Sequence, residues 1–227
     1  MGRTVTFNTG AAAIMLVAGV LIAGSANAGT ITVSLASGPG ASNFGAFDNL
    51  TPGATSGTSN TYYGPVSISG DGAVVDTTTG SYARPAGDST NYLYGGASGE
   101  TVTFLKGPIT TFDIYWGSID ALTPNDRYDN LLKLSNGDSI TGSQLVADIA
   151  GLTGSGDQFA SNSNAWIQVT DSSAFSSFTA SSPSPAFEFD LASPVPEPST
   201  WALMLLGFAS LGFAGHRRRK SRPIGAA

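Results

Sequence analysis

Few side chains in this sequence could carry covalent or acid–base chemistry. The 227 residues include no cysteine, and the single histidine, His216, lies near the C-terminus. A Ser-His-Asp or Cys-His site is therefore excluded from the preceding chain, and so is a zinc site of the usual histidine-containing kind. A carboxylate pair, as in glycoside hydrolysis, or a Ser-Lys site would have to use the two glutamates and two lysines between residues 29 and 195. These are Glu100, Glu188, Lys106 and Lys133.

The acidic side chains show no sign of catalytic pairing. Glu188 and Asp190 share one face of the predicted last strand, residues 186–191, and we interpret them as ordinary solvent-facing residues. We predict no catalytic residue and expect that the protein is not an enzyme. Residues 29–195 hold four basic and fifteen acidic side chains. Because phosphate binding needs clustered Lys and Arg, nucleic acid is not expected as a partner.

Flat aromatic side chains near amides and carboxylates are typical of sugar-binding surfaces. The candidates for such a surface are Trp166, Tyr92 and Tyr94. An aromatic residue at strand spacing more often belongs to a core, and for Trp116 we prefer the core interpretation. Trp166 differs, because the polar residues two positions before and after it would share its strand face.

A calcium site is a further hypothesis. Calcium takes six to eight oxygen ligands, and Asn125, Asp126 and Asp129 could supply several of them from one loop. The sequence has no Asp-x-Asp-x-Asp-Gly loop, so solvated turn carboxylates are the alternative interpretation. No other cofactor is predicted.

Residues 29–193 have the pattern of a mainly β domain. Short runs rich in Val, Ile, Thr, Phe and Tyr alternate with clusters of Gly, Ser, Asn and Pro, as in an antiparallel β-sandwich or barrel. The strongest strand is predicted over Ile109–Trp116, near the centre of a sheet, with its even-numbered apolar residues on one face. One short helix is predicted, capped by Ser143 and continuing through Ile149, with Gly151 ending it.

Two glycine-containing dipeptides, each between short apolar runs, predict turns between neighbouring strands. They are Asp71-Gly72 and Asn136-Gly137. The first would close a hairpin between residues 66–68 and 74–75. The second would join Leu131–Leu134 to Ser139–Thr141, although the loop length stays open.

Residues 1–28 have the composition of a signal peptide. Arg3 precedes an apolar run over residues 11–23, and Ala26 and Ala28 are small residues at the two positions that a signal peptidase reads. We predict cleavage between Ala28 and Gly29. The alternative is an uncleaved N-terminal anchor, which the short apolar run disfavours.

The C-terminal segment, residues 194–227, has three parts. Pro196, Glu197 and Pro198 precede an uncharged apolar run over residues 201–215 and a basic tail over residues 216–227. As a helix the run would be roughly 22 Å long, against about 30 Å for a bilayer core, so we expect a single transmembrane helix that is a temporary anchor. The positive-inside bias places the basic cluster in the cytoplasm and the preceding domain across the inner membrane. That cluster is Arg217, Arg218, Arg219 and Lys220.

These three parts in this order resemble the PEP-CTERM sorting signal of Gram-negative bacteria. The resemblance implies that an exosortase recognises Pro196-Glu197-Pro198 and that the catalytic chemistry belongs to that partner. It also implies a protein that is exported and membrane-anchored before processing, and then located at the cell surface or in the extracellular matrix. The partners would be a signal peptidase, an exosortase, the inner membrane transiently, and exopolysaccharide.

A second resemblance concerns the domain itself. Residues 112–120, 128–131 and 187–190 look like a pattern that recurs in one group of exported PEP-CTERM proteins. That resemblance implies a jelly-roll-like or galactose-binding-like β-sandwich without an assigned activity. We therefore expect a non-catalytic surface or matrix protein. The alternative is a carbohydrate-binding module, with or without calcium, and a glycoside-active enzyme is the third hypothesis.

Overall fold

The computed structural model describes residues 29–37, 43–122, 128–183, 187–194 and 203–211. These residues form twelve strands and two short helices. The strands are β1 Ile31–Leu35, β2 Ser56–Thr61, β3 Gly64–Gly70, β4 Ala73–Val75, β5 Tyr92–Gly95, β6 Glu100–Phe104, β7 Ile109–Trp116, β8 Leu131–Leu134, β9 Ser139–Thr141, β10 Ala165–Phe175, β11 Ser177–Ser181 and β12 Phe187–Leu191. The helices are α1, Gly142–Asp148, and α2, residues 203–211.

The strands make two six-stranded sheets in which every neighbouring pair is antiparallel. Sheet A has the order β1-β10-β7-β12-β5-β4, and sheet B has the order β2-β3-β6-β11-β8-β9. This arrangement confirms a mainly β, antiparallel, sandwich-like domain. The finer jelly-roll-like description stays a prediction.

The core lies between the two sheets. Phe112 of β7 stacks on Phe178 of β11 with ring centroids 4.8 Å apart, so the aromatic pair joins sheet A to sheet B. Trp116 is fully buried, and its indole Nε1 donates to Asn130 Oδ1 at 3.1 Å. The predictions of a central strand over Ile109–Trp116 and of a core position for Trp116 are therefore confirmed.

The outer face of sheet A is covered by the β4–β5 loop, residues 76–91. In this loop the Ala83 N–H donates to Glu188 Oε1 at 2.9 Å, and Ala86 O accepts the hydroxyl of Tyr115. All five residues of β12 are buried, including Glu188 and Asp190. The prediction that these two carboxylates face solvent is therefore wrong, because a layer of loop lies over the strand face that the alternation pattern assigned to water.

The two predicted turns have different outcomes. Asp71-Gly72 does not close a hairpin, because β3 belongs to sheet B whereas β4 belongs to sheet A. The chain crosses between the sheets there, and the crossing is so tight that a Cβ on Gly72 would lie 1.8 Å from the carbonyl oxygen of Tyr94. Around Asn136-Gly137, β8 and β9 do pair, and Gly137 has a φ of 104°. The second turn is confirmed.

Helix α1 exists as predicted but begins earlier. Thr141, not Ser143, is the N-cap: its hydroxyl accepts from the Gln144 N–H, and the Gln144 side chain accepts from the Thr141 N–H. This reciprocal capping box stabilises the first turn. The Ser143 N–H instead donates to Asp129 Oδ1 at 2.9 Å. Gly151 follows the C-cap with a φ of 94°, which agrees with its predicted role.

Helix α2 falls within the predicted apolar helix, residues 201–215. Its nine described residues are all exposed. Among the residues that the structure describes, no helix is long and apolar enough to cross a membrane, so the predicted transmembrane helix is not confirmed. The predicted signal peptide, the Pro-Glu-Pro motif and the basic cluster lie outside the described residues.

Candidate functional site: a carboxylate-lined cavity beside the last strand

A small cavity lies on the outer side of sheet A. Its volume is about 70 Å³, and residues 79–83 of the β4–β5 loop form part of its wall. The polar side chains that could bind a ligand there come from four segments of the chain. They are Tyr82, Ser118, Asp120, Gln158 and Glu188.

Glu188 lies at the base of this cavity. It is in β12, between β5 and β7, and only 3% of the residue is exposed. One carboxylate oxygen accepts from the Ala83 N–H at 2.9 Å, and the other accepts from the Ser118 hydroxyl. Burial raises the pKa of Glu188 to about 7, although both hydrogen bonds work against the increase. The carboxyl therefore changes charge near neutral pH.

Ser118 is held in a rare backbone conformation directly after β7. Its φ of 40° is the only positive φ of a non-glycine residue among the described residues. Asn164 fixes this position, because its Oδ1 accepts from the Ser118 N–H at 3.0 Å and from the Ala86 N–H at 3.1 Å. The same amide oxygen thus ties the end of β7 to the β4–β5 loop.

Asp120 supplies the second carboxylate of the cavity. Its Oδ2 accepts from Asn130 Nδ2 at 3.2 Å, and the backbone of Asp120 forms a bridge with Ser155. Gly156, with a φ of 63°, lies so close that a Cβ there would be 2.2 Å from Asp120 Oδ1. A glycine is therefore required for Asp120 to occupy this position without adjustment.

The three sugar-binding candidates have different environments. Tyr92 is fully buried, and its hydroxyl donates to Thr77 O at 2.6 Å, so its ring offers no face to a sugar and that prediction is wrong. Tyr94 is partly exposed and stacks on Tyr82 with centroids 4.8 Å apart. Tyr82 lines the cavity, so Tyr94 contacts a residue of the cavity wall without lining the cavity itself. Trp166 is partly buried and packs with Tyr115 at 5.3 Å, away from the cavity lining.

Only one of the three calcium candidates, Asp129, lies in the described part of the chain. Asn125 and Asp126 lie outside the described residues, and Asp129 accepts from the first turn of α1. Within the described ranges, no group of three or more acidic or histidine side chains is arranged to hold a metal ion. Calcium binding through residues 125 and 126 stays a prediction.

Two further buried carboxylates, Asp88 of the same loop and Asp190 of β12, lie where the loop packs on the strand. Asp190 is fully buried, and its Oδ2 accepts from the Gly45 N–H at 2.8 Å. Burial, followed by the charge of Asp88, raises the pKa of Asp190 well above its ordinary range. Thr90 connects the pair, since its Oγ1 lies 2.6 Å from Asp88 Oδ1 and 3.4 Å from Asp190 Oδ2. These groups hold down the loop that covers the cavity.

Glu100, the other glutamate of the domain, is buried in a different way. Its Oε2 accepts from the Gly72 N–H at 3.1 Å, whereas its Oε1 has no hydrogen-bond partner. Burial raises its pKa to about 7, with a further contribution from the charge of Asp71. A Cβ on Gly70 would lie 2.7 Å from Glu100 Oε2, so backbone closes around this carboxyl.

Sequence reasoning did not predict Tyr82, Ser118, Asp120 or Gln158 as site residues. One signal was available, because Ser118 and Asp120 directly follow the strongest predicted strand, and residues just beyond strand ends often form sites. The contribution of Tyr82 and Gln158 depends on how two distant loops fold over the sheet.

Comparison with known protein families places a sorting motif at the end of this chain. Residues 194–219 match the PEP-CTERM protein-sorting motif. No curated protein and no solved structure matches the chain. The match includes the Pro-Glu-Pro residues, the apolar run and the first arginines of the basic cluster, which together imply export and membrane-anchored processing. The chain therefore carries a PEP-CTERM protein-sorting motif at residues 194–219, the kind of signal that marks an exported protein for processing by an exosortase.

Proposed function

We propose that this protein is a non-catalytic component of the cell surface or extracellular matrix, freed from its membrane anchor by an exosortase and associated with exopolysaccharide. One observation carries the proposal: the sorting motif starts at residue 194, three residues after β12 ends at Leu191. A complete sandwich and a processing signal thus follow each other with almost no linker.

The contacts between β12 and the sorting motif support a domain that stays folded after the signal is removed. The Tyr62 N–H donates to Ala192 O at 2.7 Å, and the Ser193 N–H donates to Asn43 O at 2.8 Å. The domain therefore binds its own chain up to Ser193. A cut beyond residue 194 removes none of the twelve strands.

The test is mass spectrometry of the protein from the surface or matrix fraction, with and without the exosortase gene. We expect a form that ends near Pro196 only when the exosortase is present. The same C-terminus in both strains would contradict exosortase processing. Binding of the recovered form to purified exopolysaccharide, measured by co-sedimentation, tests the association separately.

The cavity supports a non-catalytic role. Its volume of about 70 Å³ is well below the roughly 300–1,000 Å³ of typical small-molecule sites, which does not favour a cleft that encloses a sugar ring between two catalytic carboxyl groups. Glycoside hydrolysis needs the scissile bond between its two carboxyl groups. Incubation with the host's exopolysaccharide should release no new reducing ends. Release that a Glu188→Gln variant abolishes would overturn this part of the proposal.

Carbohydrate binding is a second candidate function, and the composition of the cavity favours it. Glu188 and Asp120 can accept hydrogen bonds from a vicinal diol, Gln158 can accept or donate, and the Tyr82 ring is held in place by stacking on Tyr94. A site of this size favours contact with the diol edge of a terminal sugar over enclosure of a whole ring.

Two matched variants test this second function. Glu188→Gln should weaken binding to exopolysaccharide fragments about tenfold, because it removes a charged acceptor from the cavity. Glu100→Gln makes the same chemical change at a buried site closed by backbone and should leave binding unchanged. Equal affinity for both variants would place sugar recognition elsewhere.

A further inference from the structure

The first described residue of the domain lies against two carboxylates. The Gly29 N–H donates to Asp138 Oδ2 at 2.7 Å. Both carboxylates also crowd the space beside the Gly29 Cα, since a Cβ there would lie 1.9 Å from Asp171 Oδ1 and 2.9 Å from Asp138 Oδ2. Only a glycine allows both carboxylates to approach this closely without adjustment.

The two carboxylates come from different sheets. Asp171 is in β10 of sheet A, is 1% exposed, and accepts from the Ser173 N–H at 2.7 Å and from Asn136 Nδ2 at 3.1 Å. Asp138 is in the β8–β9 turn of sheet B. A group bound between them would connect one end of sheet A to one end of sheet B.

The charges at this point are not balanced while Gly29 is part of a longer chain. In the described part of the chain, neither Asp138 nor Asp171 forms an ion pair with Lys or Arg, and a peptide N–H offers them one donor and no formal charge. Two carboxylates near each other and partly removed from water are unfavourable without a cation.

Cleavage by signal peptidase would supply that cation. Hydrolysis of the Ala28–Gly29 bond adds water across the amide: the acyl carbon of Ala28 takes the hydroxyl, and the Gly29 nitrogen takes the hydrogen. The new amine is largely protonated at neutral pH. A group with one donor thus becomes an ammonium with three donors at the same position.

We propose that Asp138 and Asp171 form a binding site for the α-ammonium group that signal peptidase creates at Gly29. Removal of the signal peptide then fastens the edge strand β1 to both sheets. Thr30 already contributes, since its N–H donates to Ser172 Oγ at 2.8 Å and its carbonyl accepts from the Ser172 N–H. The inference rests on the predicted cleavage between Ala28 and Gly29 and does not depend on any exopolysaccharide ligand.

The test uses the processed protein from the cell-surface fraction, whose N-terminus is first determined by mass spectrometry. The protein is treated with limiting acetic anhydride at pH 8, and acetylation of the α-amine is compared with that of the lysines. Burial between two carboxylates should make the Gly29 amine react about tenfold more slowly than in the urea-unfolded protein. Asp171→Asn and Asp138→Asn should each restore most of the reactivity.

Asp148→Asn is the matched control, because Asp148 is exposed at the end of α1 and loses the same charge. It should leave the α-amine protected. Equal α-amine reactivity in folded and unfolded protein, or a mature N-terminus other than Gly29, would overturn the inference. Either result leaves exosortase processing intact, because that is measured at the other end of the chain.

A second measurement separates charge from packing. Reductive methylation of the α-amine keeps its positive charge, whereas acetylation restores an uncharged amide. We expect the acetylated protein to unfold at a lower temperature than the methylated one in the native sequence, and no difference between them in Asp171→Asn. A difference of the same size in both would refute a role for the charge.

Discussion

Glu188 and Glu100 have the same residue type, similar burial and pKa values raised to about 7, yet their surroundings differ. Glu188 accepts two hydrogen bonds and lines a cavity, whereas Glu100 accepts one and leaves its second oxygen without a partner. The walls also differ: polar side chains surround the first carboxyl, and glycine backbone surrounds the second. A perturbed pKa alone therefore does not identify a binding site, and the space beside the carboxyl distinguishes the two.

The largest expected effect is on stability, from adding a side-chain atom to the glycine backbone that encloses Glu100. Gly72→Ala places a Cβ 1.8 Å from a carbonyl oxygen of β5, which must move because backbone cannot rotate away. We expect a loss of about 3 kcal/mol or more in the free energy of unfolding, measured by urea denaturation. Gly80→Ala is the control, since nothing lies within 4 Å of its Cβ. Similar stabilities for both variants would show that the crossing between the sheets is loose.

The next effect concerns pH. Each folded glutamate keeps its proton up to about pH 7, whereas the unfolded chain releases it near pH 4.5. Unfolding thus releases protons in this window, and stability falls as the pH rises through it. The loss is about 3 kcal/mol per glutamate.

Glu100→Gln and Glu188→Gln should show how much each glutamate contributes to this pH dependence of stability. Glu100→Gln should be more stable than the native protein at pH 8, because it removes a charge that backbone encloses. Glu188→Gln should gain less, because it gives up the two charge-assisted hydrogen bonds that the Ala83 N–H and the Ser118 hydroxyl donate to the ionised carboxylate. Urea unfolding at pH 5 and pH 8 measures both, and equal gains at pH 8 would remove the distinction between the sites.

A smaller effect is expected beside the cavity. Gly156→Ala places a Cβ 2.2 Å from Asp120 Oδ1 and strains a φ of 63°, but the carboxylate is a side chain and can move. We expect a loss of about 1–2 kcal/mol in unfolding free energy, smaller than that of Gly72→Ala. The same urea titration ranks the two variants, and the reverse order would contradict the description of the two walls.

The smallest effect tests the hydrogen bond between Ser118 and Glu188. Ser118→Ala removes a donor that stabilises the ionised carboxyl, so the pKa of Glu188 should rise by about one unit or less. The chain has three glutamates, so ¹³C labelling of the Glu side chains gives three resolvable titrations. The titration of Glu100 is the internal control, and an unchanged Glu188 would show that the hydrogen bond is absent in solution.

The local sequence pattern was sufficient for those elements whose own residues carry a clear alternation, turn or capping signal. It predicted β7, the burial of Trp116, the turn between β8 and β9, and helix α1 within two residues. It missed β2, because Ser, Gly, Thr and Asn make up the whole strand and provide no apolar alternation. It also missed β11, although Phe178 and Ala180 alternate there with Ser and Thr, because the strand is only five residues long and Phe178 is its one large apolar residue. The hairpin at Asp71-Gly72 was wrong, because a sequence does not show whether a chain pairs with its neighbour or crosses to the other sheet.

The candidate site was less predictable than the fold. The outward face of β12 is buried by a loop that begins more than a hundred residues earlier. The alternation of Glu188 and Asp190 with phenylalanines therefore correctly predicted two different strand faces. It did not show that the polar face is covered by protein rather than by water. The cavity arises where this loop meets residues 118–120 and 156–158. A contact between segments this far apart in the sequence cannot be predicted from the local pattern of any one of them.

The place of β12 in its sheet has a consequence for export. The last strand lies between β5 and β7 rather than at an edge, so sheet A remains split into two parts until Leu191 has crossed the membrane. A chain that threads through a translocon N-terminus first would therefore wait with two open strand edges exposed, and would close the sheet as the sorting signal arrives at the bilayer. Synthesis that stops before Phe187 should leave an aggregation-prone product. The sandwich can be completed only after the chain has been translocated as far as its processing signal.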